Sequence, residues 1–120
     1  MKYAEITQEI IGCAMKVHSY FGPGFPEIIY QRALVIELGK AKLLYGVEIE
    51  KDIYYYENLV GKRRLDIVVE NKVLLELKAI SEIDEACYNK IINYLKVFGL
   101  EVGLLLNFGA RTLQFKRFVN

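Results

Sequence analysis

The chain has 120 residues, 53% of them hydrophobic and 26% charged, with two prolines. That length predicts a single domain over residues 1–120 that buries its own core, and the balance excludes disorder, collagen and low complexity. Sixteen Lys and Arg against fifteen Asp and Glu leave a net charge of +1, so bulk electrostatics make no case for nucleic acid.

The charge is unevenly divided. Residues 1–60 carry six basic and eight acidic groups; residues 61–120 carry ten and seven, a surplus of +3. Apolar runs such as residues 102–106 are far too short to cross a bilayer, so no membrane role is expected. No basic segment followed by an apolar one opens the chain, which points to the cytoplasm. Cys13 and Cys87 form no CxxC and no metal-ligand spacing with the single His18, so they read as reduced core thiols.

Residues 3–20 have the periodicity of an amphipathic helix, with Ile6, Ile10, Cys13 or Ala14, and Val17 on one face. Phe21-Gly22-Pro23-Gly24 breaks it. A second helix is predicted over residues 26–42, with Pro26 in its first turn and Tyr30, Ala33 or Leu34, and Leu38 as its buried stripe. Strands follow over residues 47–56, 62–70 and 73–80, with turns at 57–61 and 71–72. Residues 81–98 return to helical spacing, with Ser81 as N-cap and Gly99 as C-terminal stop. Strands over 101–107 and 112–119 complete an ααβββαββ order. Residues 102–106 are apolar on both faces, so that strand belongs in the middle of a sheet covered on both sides. The class is α/β: a mixed four- to five-stranded sheet flanked by helices.

The third strand is anomalous. Val73, Leu75, Leu77 and Ala79 share one face, and Leu74, Glu76 and Lys78 share the other. A strand this apolar should be buried, and buried charges are costly unless paired or metal-bound. On the second strand, Leu65, Ile67 and Val69 are expected on one face, with Asp66 on the other beside Arg64, Val68 and Glu70. A hairpin with a three-residue connection pairs Val69 with Val73 and sets Asp66 opposite Glu76. Two opposed carboxylates repel, and a hard cation such as Mg²⁺ resolves the repulsion. Lys78 beside them is suited to orient or deprotonate a water, or to stabilise developing negative charge. The pattern suits metal-assisted phosphodiester hydrolysis. The plainer reading is an ordinary charge pair on a solvated sheet face.

Five motifs occur in order: Gly24-Phe25-Pro26-Glu27-Ile28-Ile29-Tyr30, Arg64-Leu65-Asp66-Ile67-Val68-Val69, Leu75-Glu76-Leu77-Lys78-Ala79, Asn93-Tyr94-Leu95-Lys96, and Gly103-Leu104-Leu105-Leu106-Asn107-Phe108-Gly109. Together they resemble the GxxExxY family of the PD-(D/E)XK nuclease-like superfamily, over nearly the whole chain. The resemblance implies a restriction-endonuclease-like αβββαβ core. It puts Asp66 and Glu76 at the metal, with the Leu77 backbone carbonyl as a further ligand and Lys78 as the catalytic lysine. Glu27 takes the place of an acid supplied from the helix before the sheet. Related sequences carry Gln where Lys90 stands, four residues before Tyr94. Positions i and i+4 share a helical face, so Lys90 and Tyr94 are expected to overlook the site and contact nucleic acid, as is Arg64.

Other residues have simpler expected roles. Tyr30 reads as a packing residue with a hydrogen-bonded hydroxyl, and His18 as a partner of its helix terminus or a surface residue. Tyr54, Tyr55 and Tyr56 suit packing or an interface better than base stacking, and with the small size of the chain they suggest a homodimer. The sequence thus leads to a Mg²⁺- or Mn²⁺-dependent nuclease-like protein acting on DNA or RNA. The alternative is a catalytically inactive nucleic-acid- or protein-binding module on the same fold.

Overall fold

The connection between the first two helices sets the geometry of one end of the molecule. In the computed structural model, which describes residues 3–120, α1 (Ala4–Phe21) ends at Gly22, and α2 (Glu27–Lys40) starts five residues later. Gly22 and Gly24 have φ of 65° and 116°, values that favour glycine, so the chain reverses here without strain. The Tyr30 hydroxyl locks the loop: it donates to the Gly22 carbonyl and accepts the Phe25 N–H at 3.2 Å. Its ring is fully buried and stacks on Phe108 with centroids 4.8 Å apart. The packing role expected for Tyr30 is what the structure has. Pro26 caps α2 from outside rather than occupying its first turn.

The five strands are β1 (Tyr45–Tyr55), β2 (Asn58–Val69), β3 (Val73–Lys78), β4 (Val102–Asn107) and β5 (Gln114–Val119). They form one mixed sheet in the order β1-β2-β3-β4-β5. Only β3 and β4 are parallel, because α3 (Glu85–Phe98) carries the chain back between them. Every residue of β4 is buried, as its two-sided apolar pattern requires.

The core has two layers. On one face, Ile10, Cys13, Ala14 and Val17 of α1 and Tyr30, Leu34 and Leu38 of α2 pack on Ile67, Val69, Val73, Leu75, Leu77, Leu104 and Leu106. On the other, Ile91 and Leu95 of α3 pack on Leu65, Val68, Leu74, Leu105 and Phe118. Both cysteines are free thiols; Cys13 is buried and Cys87 is half-buried. His18 is buried in the last turn of α1, with Nε2 2.9 Å from the Ala110 carbonyl, so it is not a surface residue.

Among the boundaries that differ from expectation, three bear on the site or on the exposed tyrosines. The turn expected over 57–61 is only Tyr56-Glu57, because Asn58 and Leu59 pair with Tyr55 and Tyr54. Beyond Glu50↔Arg64 this hairpin has no third strand beside it, so it projects as an arm whose Tyr54, Tyr55 and Tyr56 are exposed. Strand β3 stops at Lys78 rather than residue 80, and α3 starts at Glu85 rather than residue 81. Asp84, not Ser81, is the N-cap, accepting the Cys87 N–H at 3.1 Å.

Asn107 causes the early end of β3. Its Oδ1 accepts the N–H groups of Ile80 and Gly109, both at 3.0 Å, while Nδ2 donates to the Ile80 carbonyl and Gln114 Oε1, both at 2.9 Å. The fully buried amide takes both backbone groups of Ile80, so Ile80 cannot continue the ladder. Gly109 is equally constrained: a Cβ there would lie 2.3 Å from the Ile80 nitrogen. Asn107→Ala is expected to cost about 2–4 kcal/mol and Gly109→Ala at least about 2 kcal/mol in urea unfolding. A loss under about 0.5 kcal/mol for either would contradict this role.

Candidate active site

The site lies where β2 and β3 part. Their ladder runs Val69↔Val73, Val68↔Leu74, Ile67↔Leu75 and then stops. The three-residue connection is as predicted: Glu70 and Asn71 have φ of 55° and 54°, and the Lys72 N–H donates to the Val69 carbonyl at 3.0 Å. The next pair would be Asp66 and Glu76. Instead, the Asp66 side chain crosses the widening gap, and its Oδ2 accepts the Leu77 N–H at 2.9 Å. The carboxylate thus replaces a missing rung of the sheet. Since N–H and C=O of one strand residue leave on the same side, the Leu77 carbonyl faces the same gap.

One expectation fails here. Leu65 does not share a face with Ile67 and Val69; it packs with Val68, Leu74 and α3. The strict alternation of β2 breaks at Asp66. Across from it, Glu48 of β1 has φ of 50° and drops out of the β1–β2 register. Ile49 consequently turns towards the α3 side with Leu65, and Gly46 leaves it room, since a Cβ there would lie 2.9 Å from Ile49 Cδ1. The kink aims Asp66 into the gap.

Glu76 keeps its expected face and is buried under α3, 1% exposed. Neither of its oxygens accepts a hydrogen bond among the described residues. Lys90 of α3 brings its Nζ to 3.2 Å from Oε2, a contact of opposite charges outside the favoured hydrogen-bonding direction. Burial, and then the charge of Asp66, push the Glu76 carboxyl up to about 7, against the pull of Lys90 and Lys78. Partial burial draws the Lys90 ammonium down, but its interactions with Glu76, Tyr94 and Asp66 together outweigh this, leaving its pKa above the ordinary value.

Glu27, the first residue of α2, stands at the same end of the sheet. Burial and then the charge of Asp66 raise its pKa, while Lys78, Lys90 and Arg64 oppose the rise. Asp66, Glu76, Lys78, Lys90 and Glu27 therefore act on one another electrostatically, drawn from β2, β3, α3 and α2. Tyr94 lies beside Lys90, whose Nζ is 5.4 Å from the ring centroid. Arg64 stands further out on β2, 3.9 Å from Glu48 Oε1.

Sequence reasoning missed Asn107 and the Leu77 N–H as parts of the site's frame. A polar Asn closing an otherwise wholly apolar strand was the available signal for the first. Tyr30, Phe108 and the Phe108 N–H bond to the Lys78 carbonyl (2.8 Å) tie the start of α2 to the end of β3, and so hold Glu27 near Lys78. Surface cavities of about 590 Å³ beside His18 and Arg111 and about 470 Å³ beside Tyr88 and Lys116 lie elsewhere. An open gap rather than an enclosed pocket suits a polymer that must lie across it.

The described residues contain no group of three or more His, Cys, Asp or Glu placed to hold a metal. They do contain two carboxylates and a backbone carbonyl at one gap, and the buried, unbonded oxygens of Glu76 fit a cation. Mg²⁺ is commonly held by one or two carboxylates and keeps several waters, so this donor set suits it.

Glu76 has an ordinary value of 4.5 and a folded value of about 7. Between these, the folded chain holds a proton that the unfolded chain has released. The stability contributed by Glu76 is therefore fully present below about pH 4.5 and lost as pH rises through about 7. In chelator-treated protein, Glu76→Gln is expected to raise stability near pH 8 by up to about 3 kcal/mol, with the gain shrinking towards pH 4.5. Urea unfolding across that range checks it; equal destabilisation at every pH would refute it.

The fold is similar to that of a solved structure titled "Crystal structure of SSO0001", with a TM-score of 0.56 and 18% sequence identity. The match covers 77% of this chain and 48% of the other, so this chain spans about half the length of that one. At that identity the likeness concerns the fold alone. No curated protein matches. Residues 4–118 match the sequence profile of the PD-(D/E)XK nuclease superfamily. A mixed five-stranded sheet flanked by three helices, with an acid and Glu-x-Lys converging where two strands diverge, agrees with that match, and the chain belongs to the PD-(D/E)XK nuclease superfamily.

Proposed function

We propose that the chain is a nuclease-like protein that uses Mg²⁺ or Mn²⁺ to hydrolyse phosphodiester bonds in DNA or RNA. The observation that carries this reading is the Glu76 carboxylate, buried without a hydrogen bond beside Asp66 at the open end of β3. A buried carboxylate that accepts no hydrogen bond and has a second acid beside it is costly, and a divalent cation lowers that cost. Asp66, Glu76 and the Leu77 carbonyl would hold the ion. When bound, it would polarise the phosphate and lower the pKa of a coordinated water.

The chain's own residues do the rest. Lys78 points from β3 into the charged cluster and positions the attacking water. Glu27 accepts a hydrogen bond from that water across the gap. Arg64 and Lys90 contact backbone phosphates, and Tyr94 offers its ring beside them. The GxxExxY resemblance is in keeping with Glu27 and Tyr30 both being used, one at the site and one in its frame. The proposal extends to cytoplasmic action and to a homodimer formed through the exposed Tyr54, Tyr55 and Tyr56. No described helix is long and apolar enough to cross a membrane.

A second reading is a binding module without catalysis. The 3.2 Å approach of Lys90 to Glu76 favours it, since an ammonium already neutralises the acid.

Calorimetric titration of Mg²⁺ or Mn²⁺, with DNA and RNA cleavage on the same samples, separates the two readings. Metal binding and cleavage lost together in Asp66→Ala/Glu76→Ala are expected. Nucleic-acid or protein binding with neither metal uptake nor cleavage would establish the binding module instead. Lys78→Ala is expected to lower cleavage by about 10²-fold or more while metal binding persists; unchanged cleavage would remove Lys78 from the chemistry. Light scattering at micromolar concentration tests the dimer, and a monomeric mass would exclude it.

A further inference from the structure

Lys90 has two places to put its charge. Its Nζ lies 3.2 Å from Glu76 Oε2 and 5.4 Å from the centroid of the Tyr94 ring, on the same face of α3. The Lys90 side chain is 40% exposed, whereas that of Glu76 is 2% exposed. The acid is therefore fixed in the protein while the base sits on a flexible stem at the surface. No hydrogen bond holds either Glu76 oxygen, so the carboxylate depends on charge alone for its neutralisation.

A divalent ion on either buried oxygen of Glu76 would lie close to the Lys90 ammonium, which already approaches Oε2. Oxygen ligands sit about 2.0–2.1 Å from Mg²⁺, and an ammonium at its present position would face that ion at close range with like charge. The two cations therefore compete for the Glu76 charge. Tyr94 supplies the alternative position, because the face of an aromatic ring attracts an ammonium. The Lys90 side chain is 40% exposed, so an ammonium released from Glu76 would be able to meet a phosphate from solvent.

We propose that Lys90 is a tethered counter-ion: it neutralises Glu76 in the metal-free protein, competes with the divalent cation for that carboxylate, and is displaced towards Tyr94 and the substrate phosphate when the cation binds. This rests on the metal-site reading above. Two consequences follow from the geometry. The apparent metal affinity is lowered by the cost of displacing Lys90. The displaced ammonium becomes available to substrate only in the metal-loaded state, so metal and phosphate binding support each other.

The test uses wild type, Lys90→Gln, Lys90→Met, Glu76→Gln and the Lys90→Gln/Glu76→Gln double variant. Mn²⁺ is titrated calorimetrically, and thermal unfolding is followed in chelator. Both Lys90 variants are expected to bind Mn²⁺ about tenfold more tightly than wild type. Without metal, Lys90→Gln should lower the melting temperature by a few degrees, and that loss should vanish in the Glu76→Gln background. Mn²⁺ binding that is unchanged or weakened in both Lys90 variants overturns the competition and leaves the metal site standing. A melting loss that persists in the Glu76→Gln background overturns the counter-ion role. Absence of Mn²⁺ binding in every protein overturns the metal reading and the displacement together.

Discussion

The site depends on one hydrogen bond, from the Leu77 N–H to Asp66 Oδ2. An antiparallel ladder that simply continued past Ile67↔Leu75 would have satisfied that amide with backbone and closed the gap between β2 and β3. With a side chain in place of the strand, β3 keeps its amide satisfied while its edge stays open at Glu76, Leu77 and Lys78. The same carboxylate is then held where its charge disfavours the ionisation of Glu76. Sheet continuity is given up at the point where the charged groups cluster.

That opening is costly, and the surrounding frame shows how it is held. Glu76 is anchored by Leu75 and Leu77, which are buried on the opposite layer beneath α1 and α2. The end of β3 is fastened to β4 by parallel pairing through Lys78↔Asn107, and the four hydrogen bonds of Asn107 terminate it there. The stack of Tyr30 on Phe108 brings the start of α2 to the same place. The charged residues of four elements are thus positioned by apolar packing, by the hydrogen bonds of Asn107 and by the Asp66 rung. A cluster of mutually repelling acids needs such a frame, because its own energetics favour dispersal or protonation.

Much of this was legible in the chain itself. The periods of 3.6 and 2 place α1 and β4 nearly to the residue and α2 and β3 to within two, and the two-sided apolarity of residues 102–106 puts β4 at the centre. Glu-x-Lys stands out on an apolar strand, and counting from the turn at Glu70, Asn71 and Lys72 gives the register of β2 on β3, although the ladder stops one pair short of Asp66 and Glu76. These succeed because they rest on local sterics, side-chain alternation and turn length. The boundaries that slipped did so where a distant group intervened: the Asn107 side chain ends β3 from 27 residues away, and the start of α3 falls to Asp84 once residues 79–80 are held elsewhere.

What the sequence determined by itself is the order of the elements, the two layers of the core and the set of charged residues on the inner strands, since each follows from periodicity and the expense of burying charge. What only the tertiary structure decided is how those charges meet. The face switch of Leu65, the departure of Glu48 from the ladder, the use of Asp66 as a rung and the reach of Lys90 to Glu76 all depend on which elements lie side by side. Alternation along one strand cannot encode them, because each is a contact between residues on different elements, and its geometry exists only after the sheet and α3 have packed.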